Sequence, residues 1–325
     1  MKLSILDQSP VIAGLGARRA IEETIKLARR ADELGFHRYW LAEHHAIAAL
    51  ADPCPEVLLA RLGAETRRLR IGTGGVLLPY YSAFRTAESF RMLEALYPGR
   101  IDLGIGRAPG GDARTAHAVG GGVFPDASRF PQQVAELNDL LKGKARPVRL
   151  QPEVDTAPEV WLLGSSDYSG ALAAQLGLPF AFAHFINPRG GDEVTRGYKA
   201  NFNAAANSGA APRAIVCTFA ILAESDAEAE RLAAPIDLRR LHMALNIDSP
   251  VPTYEEAARH RYSDEERRYV LSQRARAVIG GPEKARLELR NLMQKYHADE
   301  LMVLTITGDY DSRRRSYELL IEAFE

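Results

Sequence analysis

Tyr39-Trp40-Leu41-Ala42-Glu43-His44-His45 is a short apolar run that ends in one acid and two imidazoles. Read as a strand of period two, it sends Trp40, Ala42 and His44 to one face and Tyr39, Leu41, Glu43 and His45 to the other. Adjacent side chains on a strand diverge, so only one of the two histidines can face a common ligand, which argues against a metal centre. His44 is therefore the candidate for chemistry, and His45 for a hydrogen-bonded structural neighbour. A strand ending in this way suits a fold that gathers strand ends around a pocket.

The rest of the chain repeats the unit to which this strand belongs. Strand-like segments begin at Leu3, Tyr39, Ile71, Ile101, Val160, Phe180, Ala214 and Leu301, and helical spacing follows each of them. The helices read as Ala20 to Leu34, Glu56 to Thr66, Ser82 to Leu96, Pro131 to Leu141, Asp167 to Leu176, Asp192 to Ala206, Asp226 to Ala234, Glu283 to Tyr296 and Ser312 to Phe324. Eight such units predict an α/β fold, a single (β/α)8 TIM barrel domain over 1–325 with insertions at the carboxyl-end face. A doubly wound open sheet is disfavoured, because no G-x-G-x-x-G follows the first strand and no composition break divides the chain. The polar stretch from Pro235 to about Gln273 lacks one clear period and reads as a lid above the barrel.

A formal net charge of −1 gives no global field to attract nucleic acid or an anionic membrane. Cys54 and Cys217 form no C-x-x-C pair, so neither a disulfide framework nor a zinc site is indicated. The amino terminus reads as a polar-interrupted strand instead of a signal segment, and no run of about 18 apolar residues occurs. A cytoplasmic location is expected.

Barrel sites form at the carboxyl ends of strands. The third strand carries Gly74-Gly75, which permit close approach of a flat ligand or a plain β-bulge. In the fourth, Asp102, Gly104 and Gly106 share the face opposite Ile101, Leu103 and Ile105, and Arg107 follows. Two glycines leave volume at the mouth, and the arginine suits a phosphate. The fifth strand ends Gly164-Ser165-Ser166 directly before a helix, an anion cradle of amides and hydroxyls or a simple serine cap. Gln8 and Ser9 after the first strand and Ala183-His184-Phe185 after the sixth complete the candidates. The Asp311-Ser312-Arg313-Arg314-Arg315 run reads as a helix cap and a solvated basic face.

Taken together, Leu41 to His45, Ile71 to Pro79, Pro98 to Arg107, Leu163 to Ser166, Gly280 to Glu283 and Asp299 to Val303 resemble the luciferase-like monooxygenases, the flavin-dependent barrel family that includes bacterial luciferase. The resemblance implies a non-prolyl cis peptide at Gly74-Gly75 behind a flavin ring and phosphate contacts from Arg107 and the Gly164-Ser165-Ser166 amides. His44 matches the histidine that assists the flavin's oxygen chemistry, with Glu43, Gly106 and His184 beside the cofactor. The implied cofactor is FMN, reduced by a separate flavin reductase, and the implied reactants are O2 and a small organic substrate. A homodimer through Glu56 to Thr66 and Ser82 to Leu96 is also implied. Where bacterial luciferase has a reactive cysteine, this sequence has Gly106, which favours the broader monooxygenase class over light emission. A deazaflavin-dependent oxidoreductase of the same fold and a non-catalytic FMN-binding protein are the alternatives.

Overall fold

Nine strands make one sheet: β1 (Lys2–Asp7), β2 (Arg38–Leu41), β3 (Arg70–Leu77), β4 (Ile101–Gly106), β5 (Glu159–Gly164), β6 (Phe180–Ala183), β7 (Ala214–Leu222), β8 (Ala277–Gly280) and β9 (Glu300–Leu304). In this computed structural model, which describes residues 1–107, 112–143 and 148–325, every strand pairing is parallel. β1 through β7 pair in succession and β9 joins β7 to β1, which closes an eight-stranded (β/α)8 barrel. The eight closing strands are those expected from the alternation of the sequence. β8 was not legible there; it pairs only with the carboxyl-terminal half of β7, Phe219 to Leu222, and takes no part in closure.

Around the barrel run α1 (Gly16–Leu34), α2 (Pro55–Glu65), α3 (Ala83–Leu96), α4 (Ala113–Val119), α5 (Phe130–Leu141), α6 (Asp167–Leu176), α7 (Gly191–Ala200), α8 (Asp226–Ala244), α9 (Tyr254–Arg259), α10 (Asp264–Gln273), α11 (Pro282–Lys295) and α12 (Tyr310–Glu322). Local chemistry sets their ends. Gly35 closes α1 in the left-handed region, its N–H donating to the Ala31 and Asp32 carbonyls. Ser82 opens α3 by accepting from the Arg85 amide.

Strand parity divides the core in two. Tyr39, Leu41, Leu103, Ile105, Leu162 and Val216 pack outward against the helices, whereas Leu6, Trp40, Trp161, Ile215, Cys217 and Met302 fill the interior. The amino-terminal half of that interior is ionic. Arg38, 2% exposed, donates to Asp102 Oδ2 at 2.7 Å and to the Glu300 carboxylate at 2.6 and 3.0 Å. Trp40 Nε1 and Arg70 Nε donate to the two Asp102 oxygens at 2.9 and 3.0 Å. These charges plug the bottom of the barrel, and the cavity lined by the strands lies toward their carboxyl ends.

One stretch takes a form that its sequence did not show, and one expectation needs correction. The stretch from Pro235 to Gln273 is largely helical, because α8 runs through Pro235 and α9 and α10 follow. Its second half, Pro235 to Leu241, is buried on every side, charged residues included, so no amphipathic period appears in the sequence. The caps of α9 and α10 were readable: Thr253 with Glu256 and Ser263 with Glu266 form capping boxes. Nor is the Arg313 to Arg315 run a solvated face throughout, for while Arg314 and Arg315 keep 30% and 42% of their side chains exposed, its first residue is buried. Arg313 is 2% exposed and donates to Asp7 Oδ1 at 2.6 Å, and the helix cap is Asp309, not Ser312. Burial alone would raise the Asp7 pKa, but the Arg313 charge and the Tyr39 hydroxyl outweigh it and hold the carboxyl below its usual range.

Candidate active site

A cavity of about 300 Å³ opens at the carboxyl ends of the strands, at the lower end of the range for small-molecule sites. Leu6, Trp40, Ala181, Cys217 and Met302 supply apolar lining from the barrel interior, and Leu77, Leu163, Phe185 and Ile186 line it as well. Glu43, His44, Gly74, Gly75, Gly106, Arg107, Gly164, Ser165 and Ser166, the candidates named from the sequence, all border it, as does Gln8.

The glycines do different jobs. The Gly74-Gly75 peptide is cis, and the β3–β4 register shifts between Gly74 and Val76. A Cβ at Gly74 would meet Leu6 at 2.6 Å, and one at Gly75 would meet Leu163 at 2.4 Å and the Gly104 carbonyl at 2.6 Å. Backbone alone therefore fits here, and it presents a flat wall to the cavity. At Gly106 a Cβ would find nothing nearer than the Val76 carbonyl at 4.0 Å, so its missing side chain is free volume. Gly104 contributes no such volume, since a Cβ there would lie 2.1 Å from the Thr73 carbonyl. Gly164 likewise admits protein instead of ligand: its empty position is filled by the Ser169 side chain at 2.2 Å, which seats α6 against β5.

Arg107 forms no ion pair among the described residues, and its guanidinium lies 4.4 Å from the Tyr168 ring in the first turn of α6. Ser166 occupies the α6 N-cap position without a side-chain capping bond; its hydroxyl lies 3.4 Å from that of Ser169. A guanidinium with no ion pair among the described residues, held beside the amide end of a helix and two serines, has the chemistry to receive an anion. Asp167, in the first turn of the same helix, turns its carboxylate onto the Tyr168 amide at 2.8 Å.

Glu43 and His44 separate as strand parity requires. Glu43, 4% exposed, accepts from the Leu77 amide at 2.9 Å and the Tyr81 hydroxyl at 2.6 Å and pairs with His45 Nε2 at 2.7 Å. Its carboxylate thus ties the β2 end to the chain just past the cis peptide, and His45 is the structural neighbour. His44 is fixed through its backbone amide, which donates to the Asp52 carbonyl at 3.2 Å, and its Nδ1 is buried without a partner. Burial pulls its pKa down to about 4, against a partial lift from the Ala42 carbonyl. The ring is therefore neutral across the physiological range and able to exchange a proton with a bound molecule. A pH titration of the His44 ring by NMR is expected to give a midpoint near 4; a midpoint near ~6.5, the ordinary histidine value, would show the ring to be solvated.

His184 does not join this group. It follows Ala183 on β6 and points the other way, with Nδ1 2.8 Å from the Tyr296 hydroxyl on α11 and Nε2 3.2 Å from the Ala275 carbonyl. Both ring nitrogens are engaged, so it is a packing histidine beside the site. Ser9 is also spent on structure, its amide donating to Asp7 at 2.7 Å. The neighbours of His184, Ala183 and Phe185, named with it from the sequence, do line the cavity, whereas sequence reasoning missed Ser169, Cys217 and Met302. Period two could have placed Cys217 and Met302 inside, since they share the parity of Ile215 and Leu304. Among the described residues no group of three or more His, Cys, Asp or Glu could hold a metal, and no helix is long and apolar enough to cross a membrane.

Residues 1–302 match the family model described as luciferase-like monooxygenase. The Bacillus subtilis (strain 168) protein YwcH is 44% identical, with 100% of this chain and 99% of its own length aligned. A luciferase-like monooxygenase of Escherichia coli (strain K12) is 38% identical over 99% of this chain and 96% of its own. The solved structure of apo-MsnO8 superposes with a TM-score of 0.94 at 38% identity, covering 99% of this chain and 98% of that one.

Proposed function

The chain belongs to the luciferase-like monooxygenase family, and from that premise we propose that it binds FMN at the barrel mouth and oxidises a small organic substrate with O2. The observation that carries the reading is Arg107, without an ion pair among the described residues, beside the open start of α6 in the same cavity that Gly74 and Gly75 wall with bare backbone. The donor set fits FMN: one cation and helix amides for a phosphate, a flat glycine backbone and free volume at Gly106 for a planar ring, and apolar walls around both.

In this reading Arg107, Ser165, Ser166 and the α6 amides hold the phosphate. Gly74-Gly75 back the ring, and Glu43 keeps that wall in place through the Leu77 amide and Tyr81. When bound, the flavin supplies the reducing electrons and the position at which oxygen reacts; a separate reductase delivers it in reduced form. The protein orients the reactants and excludes water: Leu6, Leu77, Leu163, Phe185 and Met302 keep the reacting end dry, and the role of a lid is assigned to the α8 to α10 segment. His44 offers a neutral imidazole, with Nδ1 free to take or give a proton. A homodimer through α2 and α3 completes the proposal, and Val57, Met92 and Leu96 on those helices are 69%, 54% and 53% exposed.

Anaerobic titration with reduced FMN, oxidised FMN and the deazaflavin, followed by mixing with O2, tests the reading. Saturable binding of reduced FMN is expected, with oxygen uptake that rises when an organic substrate is oxidised. Tight binding of the deazaflavin alone would move the protein to the hydride-transfer branch of the fold. FMN binding without substrate-dependent oxygen uptake would leave only a binding protein.

A further inference from the structure

The polar lining of the cavity falls into two sets on opposite sides of the barrel mouth. Arg107, Ser165 and Ser166 lie just beyond β4 and β5, whereas Gln8 and His44 lie beyond β1 and β2. In the closed order β1-β2-β3-β4-β5-β6-β7-β9, β1 is four strands from β5 in either direction. Gln8 therefore stands across the cavity from the anion end, and the Gly74-Gly75 wall of β3 is midway between them. Glu43 and the Trp40 indole also line the cavity, but they are committed to Leu77, Tyr81, His45 and Asp102.

Gln8 has no such commitment. It shares the inward parity of Leu6, is half-buried, and its side-chain amide has no hydrogen-bond partner among the described residues. It is also the one Asn or Gln among the described residues that line the cavity. Its backbone, in contrast, is clamped on both sides. The buried Asp7 carboxylate accepts from Arg313, Tyr39, Thr24 and the Ser9 amide, and the Asp7 carbonyl accepts from the Ala42 amide at 3.0 Å. Ser9 has a left-handed φ of 48°, uncommon for a residue with a side chain. Its hydroxyl accepts from Thr24 at 3.0 Å and its carbonyl from the Ala51 amide at 3.0 Å, which hold it there. Such a conformation persists only where its surroundings fix it, and here they fix the turn that carries one unused amide into the cavity wall.

We propose that Gln8 reads the imide edge of the flavin ring, its amide N–H donating to a ring carbonyl and its carbonyl accepting from the ring N3–H. The inference rests on the cofactor reading and goes beyond it by fixing which way round the ring lies. With the phosphate at β4 and β5 and the ring on the Gly74-Gly75 wall, the far end of the ring meets the β1 and β2 side. The two ends of that ring differ in chemistry. One carries methyl groups, and the other carries a donor between two acceptors. A neutral amide offers one donor and one acceptor and complements the second end, whereas methyl groups placed there would leave it unpaired. Leu163, Phe185 and Cys217, on the β5 to β7 side, suit the apolar end. The ring atoms at which reduced flavin meets oxygen adjoin the pyrimidine, so this orientation also brings them to the side that holds His44.

The test compares FMN with 3-methyl-FMN, in which a methyl group replaces the N3 proton, by fluorescence titration of the full chain. The wild type should bind FMN about tenfold more tightly than the methylated flavin, the worth of a pair of neutral hydrogen bonds. Gln8→Ala should bind the two alike. Gln8→Leu, close in size but without polar atoms, should lose about tenfold in FMN affinity and raise the Raman stretching frequency of a ring carbonyl in bound FMN. Arg107→Ala should weaken both flavins together and keep the preference. Gln8 is half-buried and bonded to nothing among the described residues, so neither substitution threatens the fold, and the wild-type comparison decides without them. Equal binding of the two flavins by the wild type, or a preference that survives intact in Gln8→Ala, overturns the assignment. FMN binding without this discrimination sinks the present inference alone, whereas no binding of either flavin sinks the cofactor reading on which it rests.

Discussion

Asp102→Ala is expected to lower the unfolding free energy by about 3–5 kcal/mol, the usual cost of stranding a buried charge. Asp102 is completely buried at the bottom of the barrel, where Arg38, Arg70 and Trp40 all donate to it. Its loss leaves the Arg38 guanidinium at 2% exposure with the Glu300 carboxylate as its hydrogen-bonded counter-ion and Glu159 farther off at 3.8 Å. Two consequences separate this from a simple cavity effect. Arg38→Met together with Asp102→Leu should cost much less than the sum of the single changes, because removing both charges also removes the desolvation penalty. FMN affinity should fall as well, since Asp102 holds the Trp40 indole that lines the cavity. Denaturant melts at matched m-values measure the first, and flavin titration the second. A loss below about 1 kcal/mol for Asp102→Ala would show that water reaches the barrel floor and screens these charges.

Arg107→Ala should weaken FMN binding by about 10- to 100-fold and leave riboflavin, which lacks the phosphate, nearly unchanged. The guanidinium is already positioned by its stack on Tyr168 and has no ion pair to give up among the described residues, so little of the interaction is spent on reorganisation. It is also exposed, which screens the charge and places the expected effect toward the smaller end. Arg107→Lys keeps the charge without the planar fork and should fall between the two. Flavin fluorescence titrations in low and moderate salt measure all three. Equal losses for FMN and riboflavin would remove Arg107 from the phosphate site and leave the α6 start as the sole anchor.

The ends of the barrel strands carried the readable part of the site. Adjacent residues on a strand part to opposite faces, which assigned His44 to the cavity and His45 to a structural role before any coordinates; the structure supplies Glu43 as the partner of His45. The same alternation, had it been applied at the sixth strand, would have kept His184 out of the cofactor set: neighbouring Ala183 reaches the cavity and the histidine turns to Tyr296. Gly164 and Gly104 illustrate a second kind of failure. A missing side chain signals close approach but not what approaches, and here Ser169 and the Thr73 carbonyl fill the space.

The sequence by itself determined the eight-unit barrel, its closing strands and the gathering of Glu43, His44, Gly74, Gly75, Gly106, Arg107, Ser165 and Ser166 at one mouth. Those follow from periodicity and chain order, which are local properties. Tertiary structure alone decided that Arg313 is buried on Asp7, that Arg38 and Asp102 plug the barrel floor and that α8 continues beyond Pro235 with Arg239 and Arg240 inside. The physical reason is the same in each case. A charged side chain reads as solvent-facing until a partner distant in sequence supplies its counter-charge or its cover, and that partner is fixed only when the chain has closed on itself.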